Sequence, residues 1–182
     1  MVVKKKKHFL NRALFIDTQG KVQTQDKIRP TPWEARLNFK GGSRVNLFTT
    51  PEFTFVILIC HDAEFPDISS TLASSAPQVI FVPSMTDDQL GLNRVKLTAS
   101  ARAIEHMAYV LMTGTSALAD APWHAYLGQN HLFIPQNKYF KEMESPVGPS
   151  QETLTFYHLD LTKLQAARSD LKEVYPARDM KK

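Results

Sequence analysis

The single cysteine of this 182-residue chain, Cys60, lies where a catalytic nucleophile would lie. It ends an apolar run, residues 53–60, which is predicted to be a strand buried on both faces. The following residues are polar, and a helix is predicted over residues 67–75. A thiol between a buried strand and a helix N-terminus lies in a positive field that favours the thiolate. A cysteine in an apolar strand also packs as a small core residue, so both roles stay open at this point.

Two pairs of charged residues are candidates for the same site. Lys27 and Glu34 are separated by a loop with two prolines, which would hold their backbones in fixed relative positions. The alternative is that Lys27 is an ordinary solvated surface charge. Arg102 and Glu105 lie on a helix predicted over residues 93–107, where they form a local i,i+3 ion pair or reach the catalytic loop.

A metal site is a weaker alternative built on His61, Asp62 and Glu64. His61 and Asp62 resemble the His-Asp pair of metal phosphohydrolases, but a catalytic metal needs about three protein ligands. The other five histidines are scattered and lack helical His-x-x-x-His spacing. We therefore expect no metal and no other cofactor.

The predicted elements place these residues in an α/β fold. Strands are expected at residues 9–17, 22–27, 45–48, 53–60, 79–83 and 109–112, with residues 27–34 and 36–44 as loops. The segment between the strands at 53–60 and 79–83 suits a helical crossover between parallel neighbours. Strand and helix then alternate, as in a sheet covered by helices. The buried face predicted for helix 93–107 consists of Val95, Leu97, Ala101, Ile104 and Met107.

The C-terminal part is predicted less regularly. Residues 117–152 contain four prolines and are expected to be loops with short strands near residues 132–134. A last strand is predicted over residues 153–159. Asp160 is the expected N-cap of a helix over residues 161–171, and residues 172–182 form a tail. One domain is expected for residues 1–182.

Composition narrows the class of protein. The net charge of +4 comes largely from the lysine run at residues 4–7 and the two terminal lysines, which suits an exposed strand edge better than nucleic-acid binding. One cysteine excludes an internal disulfide framework and fits a reducing compartment. No apolar window is long enough to span a membrane, and no signal-peptide core is present. We expect a cytoplasmic protein without nucleic-acid or membrane partners.

Four segments resemble motifs of the nitrilase, or carbon–nitrogen hydrolase, superfamily, in the same order and spacing. Residues 59–66 resemble the nucleophile motif, in which Cys, commonly Tyr, and Asp are followed two residues later by Phe-Pro. Residues 79–84 resemble the next strand. Residues 100–105 resemble the Arg-Ala-x-Glu helix motif, and residues 26–34 the segment with the catalytic lysine and second glutamate. The residues at 27–34 and 62–66 look most similar to those of the amidohydrolase branches of the superfamily.

The resemblance implies an αββα sandwich and an amidase-type hydrolase acting on non-peptide carbon–nitrogen bonds of amide or carbamoyl substrates. Cys60 would be the nucleophile and would form a thioester. Lys27 and the backbone N–H of His61 would stabilise the oxyanion, and Glu34 would position the lysine and the substrate.

Supporting residues are also implied. Arg102 and Glu105 would support the site from the helix, and Asp62 would hold the turn after the nucleophile. The chain departs from the family pattern at two positions. His61 replaces the common Tyr, which is tolerable because its proposed role uses the backbone N–H. His106 replaces the Asn that commonly follows the helix glutamate.

One family residue has no counterpart. The general-base glutamate precedes the strand that resembles residues 9–17, so an N-terminal strand and helix region is expected to be missing. Loss of a general base typically lowers the rate on the order of a hundred- to ten-thousand-fold. We also expect a bare sheet edge and a bare apolar helix-packing face. The alternative function is therefore a catalytically impaired remnant that acts as an interaction or dimerisation module.

The expected partners follow from the same resemblance. They are a small-molecule amide substrate and a second copy of the chain, because oligomers are common in the family. Substrate identity is not determined by the sequence. Trp33, Trp123 and Tyr126 are candidate pocket residues, with ordinary packing as the alternative.

Overall fold

A computed structural model describes residues 1–115, 128–141 and 154–179, which form two β-sheets and five α-helices. The first sheet has three strands in the order β1 (Val2–Lys5), β2 (His8–Ile16) and β3 (Val22–Asp26), all antiparallel. Its strand β1 is an edge strand rich in lysine, as the charge run predicted. No helix within the described ranges is long and apolar enough to cross a membrane.

The second sheet has five strands in chain order, β4 (Phe48–Thr49), β5 (Thr54–Ile57), β6 (Val79–Ser84), β7 (Tyr109–Gly114) and β8 (His131–Phe133). Strands β5, β6 and β7 are parallel, and the two outer strands are antiparallel to their neighbours. The predicted parallel pairing of the nucleophile strand with the strand at residues 79–83 is thus confirmed.

Alternate residues of these strands enter two separate cores, because successive side chains of a strand point to opposite faces. Phe55, Ile57 and Tyr109 belong to one core, and Val56 and Ile80 belong to the other. On the first face, Phe15 of β2 meets the rings of Phe48 and Phe55 edge-on, at centroid distances of 5.9 and 4.9 Å. The two sheets therefore pack face to face.

Five α-helices accompany the two sheets. They are α1 (Pro32–Arg36), α2 (Pro66–Ser70), α3 (Gln89–His106), α4 (Leu161–Ser169) and α5 (Pro176–Asp179), with short 3₁₀ turns at Cys60–Glu64, Thr71–Ala73 and Lys138–Phe140. Helix α3 packs on the second core, and α4 packs on the first. Asp160 is the N-cap of α4, as predicted, and its side chain accepts from the N–H of Lys163.

The buried face of α3 differs from the predicted one. Leu97 is 72% exposed and Ile104 is 43% exposed, and Ala101 is also exposed. The buried positions are Leu92, Val95, Ala99, Arg102, Ala103 and His106. Val95 and Met107 are buried as predicted, but two of the buried helix positions are polar, so a search for apolar residues alone misses part of the buried face.

Three further predictions were wrong in detail. In the strand predicted over residues 153–159, the described residues 154–159 form no strand, and Leu154 and Phe156 are more than 80% exposed. The helix predicted over residues 67–75 is only five residues long, followed by a 3₁₀ turn. The loop predicted up to Glu34 contains α1.

On the outer face of the hairpin β2–β3, Leu14, Ile16 and Val22 are exposed.

Candidate active site

Cys60 lies at a sharp bend at the carboxyl end of β5. Its backbone has φ +50°, a left-handed conformation that non-glycine residues rarely adopt. Strand β5 ends at Ile57, two buried residues follow, and Cys60 opens the 3₁₀ turn Cys60–Glu64. The Sγ atom lies 3.7 Å from the carbonyl oxygen of Met85, just after the neighbouring strand β6. The bend therefore holds the thiol over the carboxyl edge of the parallel strands.

The position of Cys60 corrects one part of the sequence argument. The expected helix does not begin directly after the cysteine, because the 3₁₀ turn intervenes and α2 begins at Pro66. A five-residue helix that starts six positions later offers little field at the thiol, since dipole effects fall off within the first turn. Positive charge near Cys60 must come from side chains instead.

Lys27 and Glu34 form a buried ion pair. The Lys27 Nζ atom lies 2.6 Å from Glu34 Oε2, and the two side chains are 4% and 8% exposed. The same Oε2 accepts the backbone N–H of Thr31 at 2.7 Å, and Thr31 Oγ1 in turn accepts the N–H of Glu34. This capping box starts helix α1 and fixes the carboxylate that holds the lysine.

The second carboxylate oxygen of Glu34 also accepts a hydrogen bond. Asn11 of β2 donates its Nδ2–H to Glu34 Oε1 at 2.8 Å. Burial opposes ionisation of Glu34, but the hydrogen bonds from Lys27, Asn11 and Thr31 outweigh it and lower its pKa. Glu34 is therefore a carboxylate at neutral pH, and it keeps the lysine in place.

Asp62 joins the lysine segment to the cysteine turn. Its carboxyl group accepts the backbone N–H groups of Ile28 and Arg29, the two residues after Lys27, at 2.8–3.1 Å. It also accepts the N–H of Ile59, directly before Cys60, at 3.3 Å. Burial raises the pKa of Asp62, against these hydrogen bonds and the nearby Lys27 charge. Residues 26–29 and 59–62 are thus held together by one buried side chain.

Arg102 and Glu105 form the predicted ion pair on α3, and Arg102 also reaches the turn. Its Nε–H donates to the carbonyl oxygen of Ala63 at 3.2 Å. Both interpretations of this pair therefore hold, since the local pair exists and one partner contacts the turn that begins at Cys60.

His61 and Asp62 do not converge on a metal site. His61 Nδ1 lies 3.0 Å from Glu64 Oε1, and Arg94 donates to the other oxygen of Glu64 at 3.1 Å. The Asp62 carboxyl instead accepts hydrogen bonds from backbone N–H groups. Among the described residues, no group of three or more His, Cys, Asp or Glu side chains is arranged to hold a metal ion.

Several residues of the site are absent from the sequence-based set. They are Asn11, Thr31 and Met85. Only Thr31 had a readable signal, because Thr-x-x-Glu is a capping-box pattern. The others are brought in by tertiary contacts from separate elements. Of the candidate pocket residues, Trp33 is 60% exposed, and Trp123 and Tyr126 lie outside the described residues.

Comparisons with known proteins identify the family and the fold. The family model for carbon-nitrogen hydrolase matches residues 1–128. The chain is 28% identical over 167 residues to the probable hydrolase YhcX of Bacillus subtilis (strain 168), an alignment that covers 88% of this chain and 32% of YhcX. It is 25% identical over 101 residues to omega-amidase NIT3 of Saccharomyces cerevisiae (strain ATCC 204508 / S288c), which covers 56% of this chain and 34% of NIT3. The chain spans about a third of the length of these two relatives.

Two solved structures share the fold. The crystal structure of Saccharomyces cerevisiae Nit3, a member of branch 10 of the nitrilase superfamily, matches with a TM-score of 0.63 and 21% identity, over 72% of this chain and 48% of Nit3. XC1258 from Xanthomonas campestris, a CN-hydrolase superfamily protein, matches with a TM-score of 0.73 and 16% identity, over 92% and 63% of the two chains. The fold is therefore nitrilase-like, as the motifs implied, and this chain belongs to the carbon–nitrogen hydrolase family.

Proposed function

We propose that this chain carries the thiol half of an amidase-type active site, in which Cys60 attacks the carbonyl carbon of a small amide or carbamoyl substrate. Lys27 stabilises the oxyanion together with the backbone N–H of His61, and Glu34 holds Lys27. The family match, the nitrilase-like fold and the similarity to an omega-amidase support this class of reaction.

The proposed reaction has two steps. The Cys60 thiolate, whose proton has passed to solvent, attacks the carbonyl carbon and forms a C–S bond. The C–N bond then breaks, and the nitrogen leaves as ammonia or an amine after taking a proton from water. Water next attacks the thioester, the C–S bond breaks, and the carboxylic acid and the thiolate are released, while the remaining proton neutralises the hydroxide left by the first step.

The proposal depends on Lys27 being held rigidly. In the tetrahedral intermediate the carbonyl oxygen becomes an anion, which is stabilised most by donors that need not reorganise. Lys27 is buried and tied to a carboxylate that has three hydrogen-bond donors. A positive charge near the thiol also favours the thiolate.

One observation supports the proposal above the others. The Asp62 carboxyl accepts backbone N–H groups from both segments, so the Lys27 and Cys60 segments form one unit although they are about thirty positions apart in sequence. An isolated core cysteine would not need such a connection to a buried ion pair.

The test uses the fact that Cys60 is the only thiol of the chain. Iodoacetamide alkylation is followed by intact-mass analysis for the folded protein and, as the reference, for the same protein unfolded in urea. We expect the folded protein to react about tenfold faster at pH 7 than the unfolded protein. Lys27→Met removes this excess, whereas Lys138→Met, which removes an exposed lysine, retains it.

A second measurement addresses the thioester. The protein is incubated with small primary amides, quenched in acid and examined for a mass increase equal to the acyl group, with Cys60→Ser as the control. An adduct on the folded wild-type protein alone supports the proposal. A thiol that reacts no faster folded than unfolded, together with no adduct, contradicts it and favours a non-catalytic interaction module.

A further inference from the structure

A buried polar cluster lies behind the cysteine turn, between α2 and α3. Ser69 Oγ lies 2.7 Å from Glu105 Oε2 and 2.7 Å from His106 Nε2. Ser69 is 1% exposed and His106 is fully buried. Neither residue has a role in the chemistry proposed above.

The number of protons determines the direction of each hydrogen bond in this cluster. Burial opposes ionisation of Glu105, but hydrogen bonds from Ser69 and Arg102 lower its pKa, so this carboxylate only accepts. Ser69 has one proton and donates it to Glu105. Its Oγ must then accept the Nε2–H of His106.

His106 is therefore neutral, with its proton on Nε2. Burial lowers the pKa of His106 to about 4, so the ring is uncharged at neutral pH. The Nδ1 atom then carries only a lone pair, and it has no hydrogen-bond partner among the described residues. An unpaired buried acceptor lowers stability, so an apolar contact at this position would stabilise the fold more.

The cluster leads directly to the cysteine turn. Glu105 is the ion-pair partner of Arg102, and Arg102 donates to the carbonyl oxygen of Ala63. Ala63 lies in the 3₁₀ turn that begins with the left-handed Cys60. Ser69 and His106 thus act on the turn through two intermediate side chains, those of Glu105 and Arg102.

We propose that Ser69 and His106 are positioning residues that hold the Glu105–Arg102 pair against Ala63 and so keep the Cys60 turn in its strained conformation. This inference rests on the proposed function for its consequence, which is a thiol held within reach of Lys27. It assigns to His106, which stands where the family commonly has Asn, the task of donating one N–H to Ser69.

The test combines thiol reactivity with a double-mutant cycle. In the wild-type background, Lys27→Met is expected to slow the alkylation of Cys60 about tenfold. In a Ser69→Ala background, the same substitution is expected to slow it by less than about threefold, because the thiol and the lysine are no longer held together. Ser70→Ala, on the exposed side of α2, is the matched control and should leave the tenfold effect unchanged.

Conservative variants distinguish the positioning role from a purely structural role. Ser69→Thr keeps the hydroxyl and His106→Gln keeps an N–H donor, and both should restore the coupling. If Ser69→Ala does not fold, His106→Leu takes its place in the cycle. A full tenfold effect of Lys27→Met in the Ser69→Ala or His106→Leu background overturns the inference while leaving the proposed function intact.

Hydrogen exchange distinguishes the two proposals if the thiol is unreactive. Loss of the cluster should raise the exchange rate of the backbone amides in residues 60–64 without changing that of β6 and β7. Faster exchange with an unreactive wild-type thiol retains the positioning role and overturns the proposed function. Unchanged exchange in these amides overturns the positioning role itself.

Discussion

Two lysine–carboxylate pairs in this protein have the same length and different surroundings. Lys27 lies 2.6 Å from Glu34, and Lys138 lies 2.6 Å from Asp170. The Lys27 side chain is 4% exposed, whereas that of Lys138 is 47% exposed. Glu34 and Asp170 each accept three hydrogen bonds, so the two pairs differ in exposure and not in the number of donors. Lys138 also contacts Glu173 at the surface.

The comparison shows that distance alone does not define a functional ion pair. An exposed pair is screened by water and salt, and it holds its side chains loosely. A buried pair loses much more when one partner is removed, because the other charge stays unpaired. The second kind of pair is the one that can present a fixed charge to a reaction.

The largest expected effect follows from breaking the buried pair on one side. Lys27→Met leaves the Glu34 carboxylate unpaired, and we expect a loss of about 3 kcal/mol in the free energy of unfolding, measured with urea. Glu34→Gln keeps the capping box, so the Lys27→Met/Glu34→Gln double variant should recover part of this loss. A double variant that is less stable than Lys27→Met alone would contradict the buried-charge argument.

Acid should produce the next largest effect. Burial lowers the pKa of both His106 and His131 to about 4, below the ordinary value of 6.5. The unfolded chain therefore binds protons that the folded chain does not, and stability falls as the pH drops from 6.5 to 4. Urea midpoints measured across this range should show the fall.

A histidine variant provides the control for this pH dependence. His131→Gln should reduce the slope between pH 6.5 and 4, and substitution of the exposed His158 by Gln should not. The Lys138–Asp170 pair stays ionised throughout, because hydrogen bonds from Lys138, from the Lys172 backbone N–H and from Tyr139 lower the pKa of Asp170 to about 2. An unchanged slope in His131→Gln would show that this ring is not the titrating group.

The smallest expected effect concerns the exposed pair. Lys138→Met should raise the pKa of Asp170 from about 2 toward its ordinary value, because its largest hydrogen-bond contribution is lost. Added salt should act in the same direction on Asp170 and leave Glu34 unaffected. NMR titration of the carboxyl carbons measures both groups at once. A Glu34 pKa that moves with salt as much as that of Asp170 would remove the distinction between the two pairs.

The parallel strands and the α/β class could be predicted from the sequence because their signals are local. The apolar runs of β5, β6 and β7 are continuous since both faces of the sheet are buried. The N-cap Asp160 is also a local signal. The failures arose where tertiary contacts decide the outcome, as in the strand predicted over residues 153–159, of which residues 154–159 pair with no strand among the described residues.

The residues of the candidate site also fall into two groups, those that the sequence identifies and those that only tertiary contacts identify. Cys60, Lys27, Glu34, Arg102 and Glu105 were selected from motif spacing, and the structure brings both charged pairs together. Asn11, Ser69 and His106 contribute through contacts across separate elements. No periodic or composition signal identifies such residues, because a polar side chain on a helix or strand is usually exposed to solvent.

The sequence by itself determined the order of strands and helices, the family motifs and the residue types available for chemistry, because these depend on neighbours in the chain. Only the tertiary structure decided which charges are buried and paired. It brought Lys27 next to the Cys60 turn through Asp62, and it turned the polar residues of α3 inward. The physical reason is that burial and hydrogen bonding depend on segments distant in sequence, and those conditions set the charge of each group.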